Sequence, residues 1–267
     1  TGSPNPGIIR GVEDVCEKNG YHLILGNYDA IPEKEKKYME TFVERGISGL
    51  VISASHNSYL NPYYKTLKEK NIPFVFVDVK VDGIESDLVA TDNFTGAYLG
   101  TKFLINKGCK DILFLCTSLR ASSTRERLQG YRFALKESGV SFKKDLVRES
   151  ENGGHYAESF GEKETEIFLN RGKIDGIFSA NEPVIFGVLR AVKKKAVKKS
   201  RKIHIVSFDK PEISMELAYP ITFIVQPLYQ IGHTGCELLF ERIKEKRRGV
   251  KTPYKRVLLE PELIEAP

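Results

Sequence analysis

The chain has 267 residues, of which 41% are hydrophobic and 28% are charged. This is enough chain for two lobes that each bury a hydrophobic core. No apolar run approaches the ~20 residues of a membrane span. The first residues, Thr1-Gly2-Ser3-Pro4, have neither the basic nor the apolar region of a secretory signal. We therefore expect a globular, cytoplasmic protein that makes no membrane contact.

Helical apolar periods alternate with short apolar strands along the whole chain. The first helix is predicted over 8–19, where Gly20 ends it, and a strand is predicted over 21–25. Strands separated by helices of this length are typical of a parallel sheet covered on both faces. The next predicted helix begins at 32, and later helices span 63–70, 96–106, 126–137, 164–170, 184–195 and 229–247. The other predicted strands span 49–52, 73–77, 88–91, 111–116, 177–179, 203–209, 222–225 and 257–259.

The net charge of +6 could indicate an acidic partner, but the excess of Lys and Arg is local. It lies in 193–202 and 242–248, and neither segment carries interleaved aromatic residues or a groove-reading motif. We interpret both as solvated helix ends in preference to nucleic-acid contacts. The four cysteines have no metal-ligand spacing, so we expect buried free thiols and neither a metal nor a cofactor: Cys16, Cys109, Cys116 and Cys236.

Polar side chains follow the apolar segments of the second half of the chain. Asn181 comes after the strand 177–179, Asp209 ends the strand 203–209, and Arg127 lies in the polar opening of the helix after Cys116. Ligands of parallel α/β sheets bind at the carboxyl ends of the strands. An amide, a carboxylate and a guanidinium together suit a small, neutral, hydroxyl-rich ligand. The pattern predicts a receptor in preference to an enzyme, because no catalytic nucleophile motif or metal-ligand cluster accompanies it.

Each of these side chains also has a structural interpretation. Arg127 could form a surface ion pair with Glu126 or Asp209, and Asp209 could cap the segment after Pro211. Asn181 could cap the helix that begins near Pro183. Asp92 and Asn93 precede a helix, and we expect them to cap it.

Two segments of the chain resemble each other. Residues 45–54 (RGISGLVISA) and 171–180 (RGKIDGIFSA) each read as a helix end, a turn glycine, a strand and small polar residues. Two similar α/β lobes would produce this sequence similarity, although a chance likeness between two α/β turns would also produce it.

Nearly the whole chain resembles the effector-binding core of lactose-repressor-type (LacI/GalR) transcription regulators. The resemblance depends on the order and spacing of many short motifs, since each motif alone is weak. These motifs are 10–14 (RGVED), 46–52 (GISGLVI), 72–75 (IPFV), 91–97 (TDNFTGA), 125–131 (RERLQGY), 179–181 (SAN) with Gly187 and 190–191 (RA), 207–209 (SFD), 222–227 (TFIVQP) and 237–239 (ELL).

The resemblance implies an α/β fold of two Rossmann-like lobes with parallel sheets, the periplasmic binding protein type I architecture, joined by three crossovers. One lobe would hold 1–91 plus 228–251 and the other 92–227 plus 252–267, with an effector bound between them. Regulators of this family carry a helix-turn-helix and a first strand ahead of the position of Asn5. We expect both to lie upstream of the sequence as given.

The resemblance also implies ligand contacts for Arg127, Asp209 and Asn181. In the other lobe it implies contacts for Asp78 and Ser53, for which turn stabilisation is the alternative. Three further residues match family ligand positions: Tyr156, as an aromatic that stacks on a sugar face, Ser123 and Gln226.

We therefore expect the sensing domain of a homodimeric LacI-type regulator that binds a small effector, in the first instance a sugar, and reaches operator DNA through the upstream helix-turn-helix. An extracytoplasmic sugar receptor of an ABC-type transporter is the alternative. We do not expect an enzyme, although Asp78 and Asp209 could mimic the carboxylate pair of a glycosidase. A pentose, a hexose, a disaccharide or a nucleobase would fit the framework.

Overall fold

A computed structural model of the protein describes residues 5–55, 57–150, 156–172, 174–195, 203–210 and 219–265. The chain forms two compact units. The first unit comprises Thr1–Thr91, Arg120–Ser122 and Pro227–Leu259, and the second comprises Asp92–Leu119, Ser123–Gln226 and Glu260–Pro267. The helices are α1 Pro6–Lys18, α2 Pro32–Glu44, α3 Tyr63–Glu69, α4 Asn93–Asn106, α5 Ser122–Glu137, α6 Ala157–Asn170, α7 Glu182–Lys195 and α8 Leu228–Arg248.

The first unit is built on a parallel sheet that is covered on both faces. The sheet runs in the order β1 (Leu50–Ile52), β2 (Phe74–Val77), β3 (Asp87–Thr91) and a late strand, Arg256–Leu259. Side chains of a strand alternate between its faces. Accordingly, Val75 and Val77 pack with α1 and α8, whereas Phe74 and Phe76 pack with α2 and α3.

The second unit repeats this layering around a wider sheet. Its strands are β4 Ile112–Cys116, β5 Val147–Glu149, β6 Gly176–Ser179, β7 His204–Phe208, β8 Thr222–Val225 and, after the late strand β9 (Arg256–Leu259) of the first sheet, β10 Glu262–Ile264. The order across the sheet is β10-β8-β7-β6-β4-β5, and only the pairing of β10 with β8 is antiparallel among the described strands. Leu113 and Ile177 face one core, while Phe114 and Phe178 face the other.

The α/β class with parallel sheets is therefore confirmed. In the described residues, no helix is both long and apolar enough to cross a membrane. The turn glycines of the two resembling segments, Gly46 and Gly172, both have a positive φ and each follows a helix, α2 and α6 respectively. The four cysteines are free thiols, and all but the partly exposed Cys16 are buried.

Three sequence-based expectations are corrected. No strand forms over 21–25, where Leu23, Ile24 and Leu25 are exposed, because no described strand pairs with this segment. The segment 252–267 does not belong wholly to the second lobe: β9 pairs with β3 of the first sheet, and only β10 joins the second. In the basic run 242–248, Arg242 is buried instead of solvated. Of the other basic run, 196–202 lie outside the described residues.

Arg242 connects α8 to the loop before β9 and to the start of β3. Its Nε and Nη2 donate to the two carboxylate oxygens of Asp87 at 2.6 and 2.7 Å. Nη2 also donates to the Pro253 carbonyl at 2.8 Å, and the Lys255 amide donates to Asp87 at 2.7 Å. The hydrogen bond to Asp87 raises the pKa of Arg242 above its ordinary value, so the guanidinium stays charged. A buried bidentate pair of this kind is costly to break from one side, since it leaves an uncompensated charge.

We predict that Asp87→Ala lowers the free energy of unfolding by about 3 kcal/mol, because it removes the bidentate partner of the buried Arg242 guanidinium and leaves only the Glu245 carboxylate, 2.7 Å from Nη1, as a charged partner. Urea denaturation followed by circular dichroism measures the change. Lys244→Ala, at an exposed position of the same helix, is the matched control and should stay within about 0.5 kcal/mol of wild type. Equal stabilities of the Asp87→Ala variant and the control would contradict this account.

Candidate functional site

The second unit gathers polar side chains at the carboxyl edge of its parallel sheet. Strands β4, β6 and β7 end at Cys116, Ser179 and Phe208, and the polar residues Thr117, Asn181 and Asp209 follow them. The strands are parallel and in register, so their carboxyl ends lie side by side. This is the edge at which ligands bind in such sheets.

Arg127 lies in α5 and is 3% exposed. Its Nε donates to the Asn93 side-chain oxygen at 2.7 Å, and its Nη1 donates to the Ala180 carbonyl at 2.6 Å. The guanidinium carbon lies 3.6 Å from the centre of the Phe208 ring, close enough for a strong cation–π contact. Arg127 is therefore held in one orientation by partners from α4, the end of β6 and the end of β7.

Asp209 has a left-handed backbone, with a φ of 70°. Its amide donates to the Ile224 carbonyl at 2.9 Å, and its Oδ1 accepts a hydrogen bond from Gln226 Nε2 at 2.7 Å. Burial raises the pKa of Asp209, while the positive charge of Arg127 and the hydrogen bond from Gln226 act in the opposite direction. The structure thus brings together three predicted site residues: Arg127, Asp209 and Gln226.

Asn181 directs its side-chain oxygen to Thr117, accepting from the Thr117 amide at 2.9 Å and from its hydroxyl at 3.2 Å. This bond connects the ends of β6 and β4, so the oxygen does not cap α7. Asp92 does cap α4, through a 2.9 Å bond from the Thr95 amide. The expectation that Asn93 also caps this helix is wrong. Asn93 is the first residue of α4, it is buried, and its side-chain oxygen accepts a hydrogen bond from Arg127.

The other two predicted residues of this unit lie at helix starts. Ser123 is in the first turn of α5 and is 6% exposed. Tyr156 occupies the N-cap position of α6 and is 63% exposed, so its ring is available to stack on a ligand. The segment 151–155 before it lies outside the described residues.

In the first unit, Ser53 and Asp78 follow β1 and β2, again at the carboxyl ends of parallel strands. Asp78 has a φ of 63°, and its amide donates to the Val89 carbonyl at 2.9 Å. Ser53 is exposed, and its carbonyl accepts from the Tyr28 hydroxyl at 2.8 Å. A 3.2 Å bond from the Ala54 amide to the Val79 carbonyl joins the two segments, so both residues lie on one edge of this sheet.

Sequence reasoning missed Glu35, which supports the loop after β1. Its carboxylate is 3% exposed and accepts from the Ser58 hydroxyl at 2.8 Å, the Asn61 amide at 3.0 Å and the Tyr64 hydroxyl at 2.8 Å. Burial raises the pKa of Glu35 above its ordinary value despite these three donors. Its position one helical turn before the buried Met39 was the available signal, because it places Glu35 on the apolar stripe of α2.

Each unit therefore presents an aspartate on a left-handed backbone, with further polar groups, at the carboxyl edge of a parallel sheet. Carboxylates accept hydrogen bonds from hydroxyl groups, and the Arg127 guanidinium supplies donors in a fixed plane. In the described residues, no group of three His, Cys, Asp or Glu side chains is placed to hold a metal ion. The architecture is that of a two-unit α/β binding protein.

The chain belongs to the family described as periplasmic binding protein domain, whose model matches residues 6–247. It is 28% identical over 260 residues to the HTH-type transcriptional repressor PurR of Vibrio campbellii, an alignment that covers 96% of this chain and 75% of that protein. The resemblance of this core to LacI-type regulators is thereby confirmed.

Solved structures of transcription regulators have the same fold. The crystal structure of the regulator CcpA of Lactococcus lactis superposes with a TM-score of 0.82 at 28% identity, covering 97% of this chain and 92% of that one. A LacI family regulator from Enterococcus faecium with bound ribose gives a TM-score of 0.78 at 22% identity, covering 97% and 92%. At the lower identity the likeness concerns the fold alone.

We predict that Arg127→Met raises the pKa of Asp209 further, because the substitution removes the positive charge that opposes the effect of burial. Titration of the assigned Asp209 carboxyl carbon by NMR measures the shift. Arg132→Met, on the same helix but over the Phe142 ring, is the control and should leave this pKa unchanged. An Asp209 pKa equal to that of wild type in Arg127→Met would show that the two groups do not interact.

Proposed function

We propose that this chain is the effector-sensing core of a LacI-type transcription regulator. The observation that carries the proposal is the cluster of polar residues at the sheet edge of the second unit, which we call the half-site. In it, Arg127 is fixed over the Phe208 ring, and Gln226 donates a hydrogen bond to the neighbouring Asp209. Polar groups held in place before a ligand arrives lose little conformational freedom on binding. The match to an HTH-type repressor over 75% of its length supports regulation as the purpose of that binding.

The proposed effector is a small, hydroxyl-rich molecule, a sugar in the first instance. Asp209 accepts hydrogen bonds from hydroxyl groups, Arg127 and Asn181 donate to hydroxyl or ring oxygens, and the exposed ring of Tyr156 covers an apolar sugar face. Asp78, Ser53 and Ser123 are further residues that we propose for contact with the effector, because they match ligand positions of the LacI-type family. The ribose bound by the Enterococcus faecium regulator supports this class of ligand.

We take the two compact units as the two lobes. Apart from the short segment Arg120–Ser122, which is assigned to the first unit, the chain passes from one unit to the other after Thr91, Gln226 and Leu259. A ligand that binds one conformational state of the chain more tightly than another shifts the population towards that state. A helix-turn-helix upstream of residue 1 would convert this shift into a change in operator affinity. Two-fold symmetric operators require a homodimer, and the regulator acts in the cytoplasm.

Ligand sensing explains this site better than catalysis or transport. The carboxylates of Asp78 and Asp209 serve hydrogen bonding here, and we propose no chemical step at either one. The fold also serves extracytoplasmic receptors, but the repressor relatives favour the regulator. Recovery of an unchanged ligand by chromatography after incubation with the protein distinguishes binding from turnover.

We predict that a thermal-shift screen across pentoses, hexoses, disaccharides and purines finds a ligand that raises the Tm. At about 100 times Kd the stabilisation is about 2.7 kcal/mol, which is about 5–10 °C for a chain of this size. Arg127→Ala and Asp209→Ala should each abolish the shift, measured against the Tm of the same variant without ligand.

Asp145→Ala, at an exposed position of the same unit, is the matched control and should keep the full shift. Unchanged shifts in both Arg127→Ala and Asp209→Ala would remove these residues from the ligand site. If no sugar raises the Tm while an unrelated metabolite does, the proposed ligand class is wrong.

A further inference from the structure

Cys16 of α1 and Cys236 of α8 meet in the first unit, although 220 positions separate them in the chain. Their Sγ atoms are 3.7 Å apart. The other two thiols have different neighbours: Cys109 donates to the Asp175 carbonyl and Cys116 to the Arg148 carbonyl, both in the second unit. The contact between two sulfur atoms is therefore a specific feature of the α1–α8 pair.

Close packing of the two helices produces this contact. A Cβ added at Gly11 of α1 would lie 2.2 Å from the Tyr229 carbonyl oxygen, and one added at Gly232 of α8 would lie 2.0 Å from the Ile8 carbonyl oxygen. The two backbones are therefore in contact at Gly11 and Gly232, and Gly11 lies about one and a half helical turns before Cys16. A disulfide bond is about 2.05 Å long, so the two sulfurs need to approach by less than 2 Å from their present separation of 3.7 Å.

We propose that Cys16 and Cys236 form an oxidation site at which a peroxide closes an intramolecular disulfide between α1 and α8. Cys16 is the partly exposed member and the peroxide reaches it first, whereas Cys236 is 1% exposed and acts second. Burial and the neighbouring Cys16 sulfur raise the pKa of the Cys236 thiol, in agreement with this order.

The reaction balances in two steps. The Cys16 sulfur attacks one peroxide oxygen, the O–O bond breaks, and the other oxygen leaves as water with the thiol proton, so Cys16 becomes a sulfenic acid. The Cys236 sulfur then attacks the Cys16 sulfur, the S–O bond breaks, and a second water carries away the Cys236 proton. Two thiols lose two electrons in total, and one hydrogen peroxide becomes two molecules of water.

The product joins two helices that are far apart in the sequence. Before oxidation, α1 is held on α8 through a shared hydrophobic cluster, to which α1 contributes Val12 and Val15 and α8 contributes Ile231 and Leu239. The covalent bond would prevent α1 from separating from α8 at any point of a conformational change or of local unfolding. The site does not depend on the effector proposed above, and its test is independent of ligand binding.

The test treats the reduced, folded chain with hydrogen peroxide, blocks the remaining thiols with iodoacetamide in denaturant, and maps peptides without reduction. We expect an intact-mass loss of about 2 Da before blocking, a single cross-linked peptide pair that contains Cys16 and Cys236, and two alkylated thiols, at Cys109 and Cys116. Dithiothreitol should reverse the cross-link. The same treatment in urea should give mixed pairings, since folding is what selects this pair.

Cys16→Ser and Cys236→Ser should each abolish the cross-link, whereas the double variant Cys109→Ser/Cys116→Ser should retain it. The proposal is overturned by a Cys16 that is oxidised to the sulfinic acid while Cys236 stays a free thiol, by a cross-link between other cysteines in the folded chain, or by four alkylated thiols. Peptide mapping of the unsubstituted chain alone distinguishes these results, so the test does not depend on the folding of any variant.

Discussion

Burial of one cation organises the second unit. A guanidinium that is 3% exposed needs compensation, and Arg127 obtains it from the Asn93 oxygen, the Ala180 carbonyl and the Phe208 ring. These partners belong to the start of α4, the end of β6 and the end of β7, so one side chain fixes three segments. Asp209 follows Phe208 directly and lies within the field of the same cation. A half-site is therefore formed before any ligand is present.

The two units use the same backbone arrangement at their sheet edges. Asp78 follows β2 and Asp209 follows β7, both with positive φ, and the amide of each donates to a carbonyl of the neighbouring strand, Val89 in β3 or Ile224 in β8. A left-handed backbone costs an L-residue about 1–3 kcal/mol and persists where surrounding structure enforces it. Aspartate tolerates it better than most residues. The repetition supports a common architecture for the two units, which the sequence echo between 45–54 and 171–180 also indicated.

The hydrophobic period and the turn residues were sufficient to predict most helices and strands, because the layers of an α/β fold impose strong local patterns.

Prediction failed where the role of a residue depends on partners that are far away in the sequence. The segment 21–25 has a strand's composition, yet strand formation needs a paired neighbour, and none pairs with it in the described structure. Asn93 looked like a cap, but burial against Arg127 gave it another partner. The Cys16–Cys236 contact depends on helix packing that no local pattern reports. The positions of Asn181 and Asp209 were predictable because both residues follow parallel strands, and sheet topology alone places the ends of such strands on one edge.

The most direct test of the account is a crystal structure of the chain with a ligand that raises its Tm. We expect hydroxyl groups of the ligand to lie within hydrogen-bond distance of the Asp209 carboxylate and the Arg127 guanidinium. A stabilising ligand bound elsewhere, for example on the exposed aromatic surface formed by Phe94, Phe133 and Phe142, would contradict it.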